Sequence, residues 1–196
     1  MLIGVGYLEQ VVVGNILGDA WMERKSLTSN ARLRYSQVSP KHDERFYFTF
    51  NFYAMYCNGP STSRTRTDPR TGYVGGSNMF TTRAIPFFTD FYNLFYVNGT
   101  KVVPQTIGLY LTPIALAHWI MDNGGLNNGL VLNTQGFSLA EVELLVNALN
   151  TNFGVHSYMR YEKKLPTIYI TKKELPIIAT AVISYMHPST HYKLGL

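Results

Sequence analysis

Two stretches decide the fold: Val12-Val-Gly-Asn-Ile-Leu-Gly-Asp-Ala20 and Leu116-Ala-His-Trp-Ile-Met-Asp-Asn-Gly124. Each closes a largely apolar segment, Tyr7–Asp19 in the first case and Leu111–Asp122 in the second. Segments apolar on nearly every side read as buried helices. Thr112 as N-cap with Pro113 after it marks a helix start. Outward from the first stretch come Ala20–Lys25 and a polar turn, Ser26–Asn30. In Arg32–Gln37, Leu33 and Tyr35 alternate with Arg32, Arg34 and Ser36, the period of a strand with one apolar and one basic face. Asp43–Tyr56 reads as an aromatic-rich helix. Asn58–Gly76 reads as a long hairpin or loop carrying Arg64, Arg66 and Arg70. Asn78–Arg83 is a strand, and Ile85–Val97 a helix with Pro86 in its first turn.

After a link at Asn98–Tyr110 the pattern repeats. Leu130–Gln135 reads as a strand, and Ser138-Leu-Ala-Glu141 is a capping box opening a helix to about Asn152. Val155–Glu162 and Pro166–Ile170 read as strands around a Lys163-Lys164 turn. Thr171–Glu174 opens a last helix running to about Met186. The order helix, strands, helix, strands, helix occurs twice, and this internal duplication is the main organisational signal. It predicts an α+β chain with a first half at residues 1–100 and a second at 101–196.

Composition bounds the function classes. The chain has 196 residues, 46% hydrophobic and 15% charged, which reads as globular. No apolar run reaches the ~20 residues of a membrane span, so no membrane partner is expected. The opening MLIGVGYLEQ shows neither a basic leader nor a cleavage signal. Cys57 is the single cysteine; it excludes an internal disulfide and a cysteine-cluster zinc site, and reads as a core thiol. Net charge is +5. The excess concentrates in residues 24–83, which hold Arg24, Lys25, Arg32, Arg34, Lys41, Arg45, Arg64, Arg66, Arg70 and Arg83 against Asp43, Glu44 and Asp68. A phosphate-contacting surface needs such a local excess. No phosphate-binding glycine loop or nucleophile triad is recognisable. His187 and His191 are separated by Pro188 and do not read as a ligand pair, His118 reads as a packing residue, and most tyrosines and phenylalanines fall at core-like spacing.

Both opening stretches resemble the nine-residue LAGLIDADG motif of homing endonucleases. Leu111-Thr-Pro, Gly124-Gly, Leu130–Gln135 with Phe137, Pro166–Ile170 and Tyr192-Lys-Leu are similar to the omega-type monomeric enzymes of mitochondrial group I introns. Phe80–Arg83 and Tyr92–Tyr96 are similar to fungal mitochondrial relatives. The likeness spans roughly residues 8–196.

The resemblance implies two pseudo-symmetric αββαββα halves forming a saddle with antiparallel sheets, in a monomer. It implies a magnesium-dependent endonuclease recognising a long duplex DNA site, encoded and working in mitochondria. Two carboxylates at the motif ends would share divalent ions over the scissile phosphates, because hard dications prefer carboxylate oxygens and stabilise in-line phosphodiester hydrolysis. By position, Asp19 is the first metal ligand, with Ala20 beside it. Lys101 and Lys193 match basic residues that stabilise charge near the phosphate. The eighth position of the second motif is Asn123 rather than Asp, which keeps an oxygen and loses the charge. Asp122 sits one residue earlier, a rotation of roughly 100° on a helix. Weakened metal binding, and nicking or impaired cutting, are therefore expected. Arg32, Arg34, Gln37, Arg64, Arg66, Arg70, Arg83, Asn133, Gln135, Arg160 and Lys163 are the expected DNA contacts, some to base edges and some to phosphates. Two alternatives stay open: a maturase binding structured intron RNA, and a non-catalytic protein recruited to an organellar ribonucleoprotein through rRNA.

Overall fold

The computed structural model describes residues 6–72 and 74–196. The first five residues of MLIGVGYLEQ, and Tyr73 within the Asn58–Gly76 segment, lie outside the described residues. The chain is mixed α+β with antiparallel sheets, and its two halves repeat one element order. The first half runs α1 (Tyr7–Leu17), β1 (Trp21–Arg24), β2 (Ala31–Ser39), α2 (Asp43–Tyr53), β3 (Thr62–Thr67), β4 (Val74–Thr81) and α3 (Pro86–Phe95). A small hairpin follows: β5 (Tyr96–Val97) takes the last two residues expected in the Ile85–Val97 helix, while β6 (Thr100–Lys101) and a 3-10 turn at Ile107–Leu109 occupy the expected link. The second half runs α4 (Pro113–Asn123), β7 (Gly124–Leu126), β8 (Gly129–Asn133), α5 (Leu139–Phe153), β9 (Ser157–Glu162), β10 (Leu165–Thr171) and α6 (Leu175–Val182). Sheet orders match as well: β1-β2-β4-β3 and β7-β8-β10-β9.

By packing, the chain forms two compact units divided elsewhere than at the repeat. One is Asp19–Tyr92; the other joins the chain up to Gly18 with Asn93–Leu196. The first motif helix therefore belongs to the same unit as the second.

In that larger unit α1 and α4 pack together, and both are buried nearly all round, from Val11 to Leu17 and from Ile114 to Asp122. Gly14 permits the approach. A Cβ built there would overlap the Ala115 carbonyl oxygen and lie 2.7 Å from the His118 Cβ. One turn on, a Cβ at Gly18 would lie 2.5 Å from the Asp122 Cβ. Thr112 Oγ1 accepts from the Ala115 N–H at 3.2 Å, capping α4 behind Pro113. At α5 the Ser138–Glu141 capping box forms in both directions. α5 covers one face of the second sheet, where Leu130, Leu132, Ile168 and Ile170 are fully buried. Lys163 and Lys164, both left-handed at φ 48° and 70°, make the two-residue turn between β9 and β10.

The smaller unit has an aromatic core. α2 lies on the inner face of the first sheet, where Tyr35 stacks on Phe80 at 5.5 Å and on Phe46 at 6.1 Å. Tyr53 packs on Phe80 at 5.1 Å. Burying such rings supplies most of the apolar area in a unit this small. Cys57 is half-buried, and burial pushes its thiol pKa up. Among the described residues no helix is long and apolar enough to cross a membrane.

Candidate nucleic-acid interface and motif ends

Strand parity sorts the basic residues. Arg34 registers with Thr81 and Trp21, Arg32 with Glu23, Ser77 with Val38 and Arg64, and Gly75 with Arg66. The face opposite α2 thus carries Arg32, Arg34, Arg64 and Arg66. Glu23 binds two of them: its Oε2 lies 2.7 Å from Arg32 Nη2 and its Oε1 2.6 Å from Arg34 Nη1. Arg34 also lies over the Trp21 ring, 5.5 Å from its centroid. Hydrogen bonding from Arg34 first, and from Arg32, holds the Glu23 carboxyl below its ordinary range against the opposing effect of burial. Arg64 and Arg66 are exposed and have no hydrogen-bond partner among the described residues. Arg70 is exposed beside Asp68, 3.8 Å away. Arg83 turns back to donate to the Met55 carbonyl at 3.0 Å.

Gln37 belongs with the other parity. It is 6% exposed, on the inner face, so its place among the strand's outward polar residues is corrected. Ala31, Leu33, Tyr35 and Gln37 share that face, and Asp19, just past the end of α1, gives the amide its partner. Gln37 Nε2 donates to Asp19 Oδ2 at 2.5 Å. Arg45, from the first turn of α2, reaches the same oxygen at 3.4 Å while only 4% exposed. Asp19 follows Gly18 at the end of α1 and keeps 35% of its side chain open. Ala20 is fully buried. Arg45 counts in the sequence only toward the basic excess of residues 24–83, and its burial takes it off any such surface; nothing local in an aromatic helix says which charged residue turns inward.

The second motif ends differently. Asp122 is 9% exposed and accepts from Asn15 Nδ2 at 3.1 Å. Asn123 closes α4, half-buried, with its carbonyl accepting from Asn133 Nδ2 at 3.0 Å. Lys193 is 7% exposed, and its ammonium donates to the Ile120, Met121 and Asp122 carbonyls at 3.2, 2.6 and 3.3 Å. Lys101 donates to the Ile16 carbonyl at 2.9 Å. Ile16 and Ile120 hold the same motif position, so each motif helix meets a lysine at its negative, carbonyl end. A 3-10 segment, Pro188–Leu194, positions Lys193. His118 is fully buried, and desolvation pushes its pKa down to about 3, so it is a neutral packing residue.

On the second sheet Asn133, Thr167 and Arg160 register across three strands, on the face opposite α5. Arg160 stacks on Tyr169, 3.9 Å from the ring centroid. Gln135 donates to Asn133 Oδ1 at 3.2 Å, and Lys163 sits in the exposed turn.

Residues 9–178 match the model of the LAGLIDADG DNA endonuclease family. The chain belongs to that family. The LAGLIDADG chain is 31% identical over 191 residues to the cytochrome b mRNA maturase bI2 of Debaryomyces hansenii, covering 95% of this chain and 72% of that protein. It is also 31% identical over 199 residues to a probable intron-encoded endonuclease 1 of Wickerhamomyces canadensis, covering 95% and 83%. Among solved structures, the homing endonuclease I-WcaI bound to its DNA recognition sequence superposes with a TM-score of 0.85 at 28% identity, over 99% of this chain and 88% of that one. LAGLIDADG endonucleases generally use divalent metal.

Proposed function

We propose that this chain binds a long, specific duplex DNA site with the faces of its sheets opposite α2 and α5, and hydrolyses phosphodiester bonds with Mg²⁺. The observation that carries the reading is Asp19: an open carboxylate held by Gln37 and Arg45 at the end of a motif helix. The donor set fits magnesium at this end. Mg²⁺ keeps most of its water and takes one or two protein carboxylates together with substrate phosphates. Asp19 would hold the ion, with the Ala20 backbone beside it. The ion would supply Lewis-acid stabilisation of phosphate charge. Gln37 and Arg45 fix the carboxylate's orientation. Lys101 and Lys193 would add positive charge beside the phosphate.

At the second motif the fit is poorer. Asn123 offers an amide oxygen, and the nearby carboxylate of Asp122 is already engaged by Asn15. Metal binding is weaker there, and the reaction is nicking rather than double-strand cutting. Phosphate and base contacts come from Arg32, Arg34, Arg64, Arg66, Arg70, Asn133, Gln135, Arg160 and Lys163, with Arg83 at the rim. The duplication boundary falls near residue 100, and the protein is made in mitochondria, as kinship with cytochrome b mRNA maturases supports.

The test is a supercoiled plasmid carrying a duplex site recovered by selection, incubated with Mg²⁺. The expected product is nicked circle; Asn123→Asp converts it to linear DNA, and Asp19→Asn abolishes both. Rapid linearisation by the wild type, or full activity of Asp19→Asn, overturns the reading. A second reading, splicing assistance on structured intron RNA, is favoured by the 31% identical maturase of Debaryomyces hansenii. Tighter binding to folded intron RNA than to any selected duplex, maintained across a salt series, would establish it in place of the first.

A further inference from the structure

The arginines on the outer face of the first sheet are of two kinds. Arg64 and Arg66 stand on an edge strand whose residues are all exposed, with no hydrogen-bond partner among the described residues. Arg32 and Arg34 share one carboxylate. Arg32 binds Glu23 Oε2 through both Nε (3.0 Å) and Nη2 (2.7 Å), while Arg34 binds Oε1 and lies over Trp21. Among the described residues this arrangement leaves Arg32 Nη1 without a hydrogen bond, and Arg34 Nη2 with a single 3.5 Å contact to Met79 Sδ. Both arginines line one concavity of about 450 Å³, together with Thr62, Arg64, Met79 and Thr81.

We propose that Glu23 is a specificity-determining positioning residue, bridging Arg32 and Arg34 so that both guanidiniums stand as rigid readers of base edges. The proposal rests on the duplex-binding reading above. An arginine free to rotate follows the phosphate potential wherever it leads, and such contacts carry no sequence information. An arginine held in one plane presents a fixed pair of donors, and guanine O6 and N7 are the major-groove acceptors that match such a pair. Arg32 and Arg34 lie two residues apart on a strand, roughly 6.8 Å. That is close to two base steps of about 3.4 Å along one DNA strand. The brace also lowers the local charge, since one carboxylate stands between two guanidiniums. Glu23 thus weakens indiscriminate attraction while it fixes the readers.

The experiment selects bound duplexes from a library of short DNA with a randomised window, using the full chain as wild type, Glu23→Gln and Glu23→Asp. Affinity for a random-sequence duplex is measured across a KCl series, and thermal melts are recorded for each protein. A glutamine can accept from only one of the two arginines and turns its NH₂ toward the other. Glu23→Gln is expected to bind random duplex several-fold tighter at low salt, with a steeper salt dependence. Its selected profile should lose preference about ten-fold at a few neighbouring positions and keep it elsewhere. Glu23→Asp keeps the charge but is too short to bridge. It should lose the same positions while binding random duplex like the wild type. As a contrast, Arg64→Met with Arg66→Met should preserve the profile and flatten the salt slope by roughly one per arginine. A Glu23→Gln profile identical to the wild type's overturns the inference alone. Uniformly weaker binding with a lowered melt assigns Glu23 to folding and overturns it too. A wild type that selects no sequence overturns both this inference and the duplex reading.

Discussion

The side-chain amide of Asn15 donates to the carboxylate of Asp122 across the crossing of α1 and α4, a buried bond of 3.1 Å. The two residues stand 107 positions apart in sequence and pin one motif helix to the other. A buried carboxylate deprived of a donor is costly, about 1–3 kcal/mol. Asn15→Leu should therefore lower stability by that order in urea unfolding. Asn15→Asp sets a second carboxylate against the first, and its deficit should shrink as pH falls and the pair comes to share a proton. An Asn15→Asp protein with the same deficit at every pH would contradict this account.

Gly14 permits no methyl group, because the Ala115 carbonyl and the His118 Cβ already occupy the space. Gly14→Ala should destabilise the protein by about 1–3 kcal/mol through overpacking. The gain in helix propensity from the same change is smaller, about 1 kcal/mol. A thermal melt unchanged or raised by the substitution would mean that the helices separate at no cost.

His118 gives acid sensitivity a definite window. Its folded pKa lies near 3, below the ordinary 6.5, because burial disfavours the imidazolium. The unfolded chain takes up this proton below about pH 6.5 and the folded one does not, so unfolding gains as pH falls. The stability is fully present above that pH and declines by about 1.4 kcal/mol per pH unit toward pH 3. His118→Gln should flatten this limb of the stability–pH curve. Carboxylates such as Glu23, whose folded pKa is lowered, act only further down, once the pH enters the carboxylate range.

In the proposed reaction Gln37 and Arg45 act through Asp19, whose carboxylate both contact. Gln37→Leu or Arg45→Met should slow metal-dependent nicking by roughly 10-fold to 100-fold, the scale of a misplaced catalytic group. Binding of the selected duplex without metal should stay within a few-fold. Equal losses of binding and nicking would move these residues to the interface instead.

Much of this architecture is legible in the chain itself. The two motif stretches mark themselves by being apolar on all sides, and the caps at Thr112 and Ser138 announce their helices. The Lys163-Lys164 turn and the Arg64/Arg66 hairpin follow from ordinary strand and turn chemistry. Gln37 was misplaced by residue type: amides belong among base readers, yet the alternation that put Leu33 and Tyr35 inward puts Gln37 inward too. Arg45 carries no local signal, since its burial depends on a partner 26 residues earlier. The Glu23 brace is equally hidden, because β1 is four residues long and the pairing that opposes Glu23 to Arg32 is set by a turn. Short strands, and side chains that answer to distant partners, are where periodicity has nothing to count.

The smaller packing unit enters the chain after Gly18 and leaves it at Asn93. Anyone building chimeras between relatives would therefore move residues 19–92 as one cassette and leave α1 with its α4 partner. A splice between α3 and α4 would instead transplant α1 away from the helix that Gly14 was shaped to meet, and the hybrid would inherit a mismatched seam.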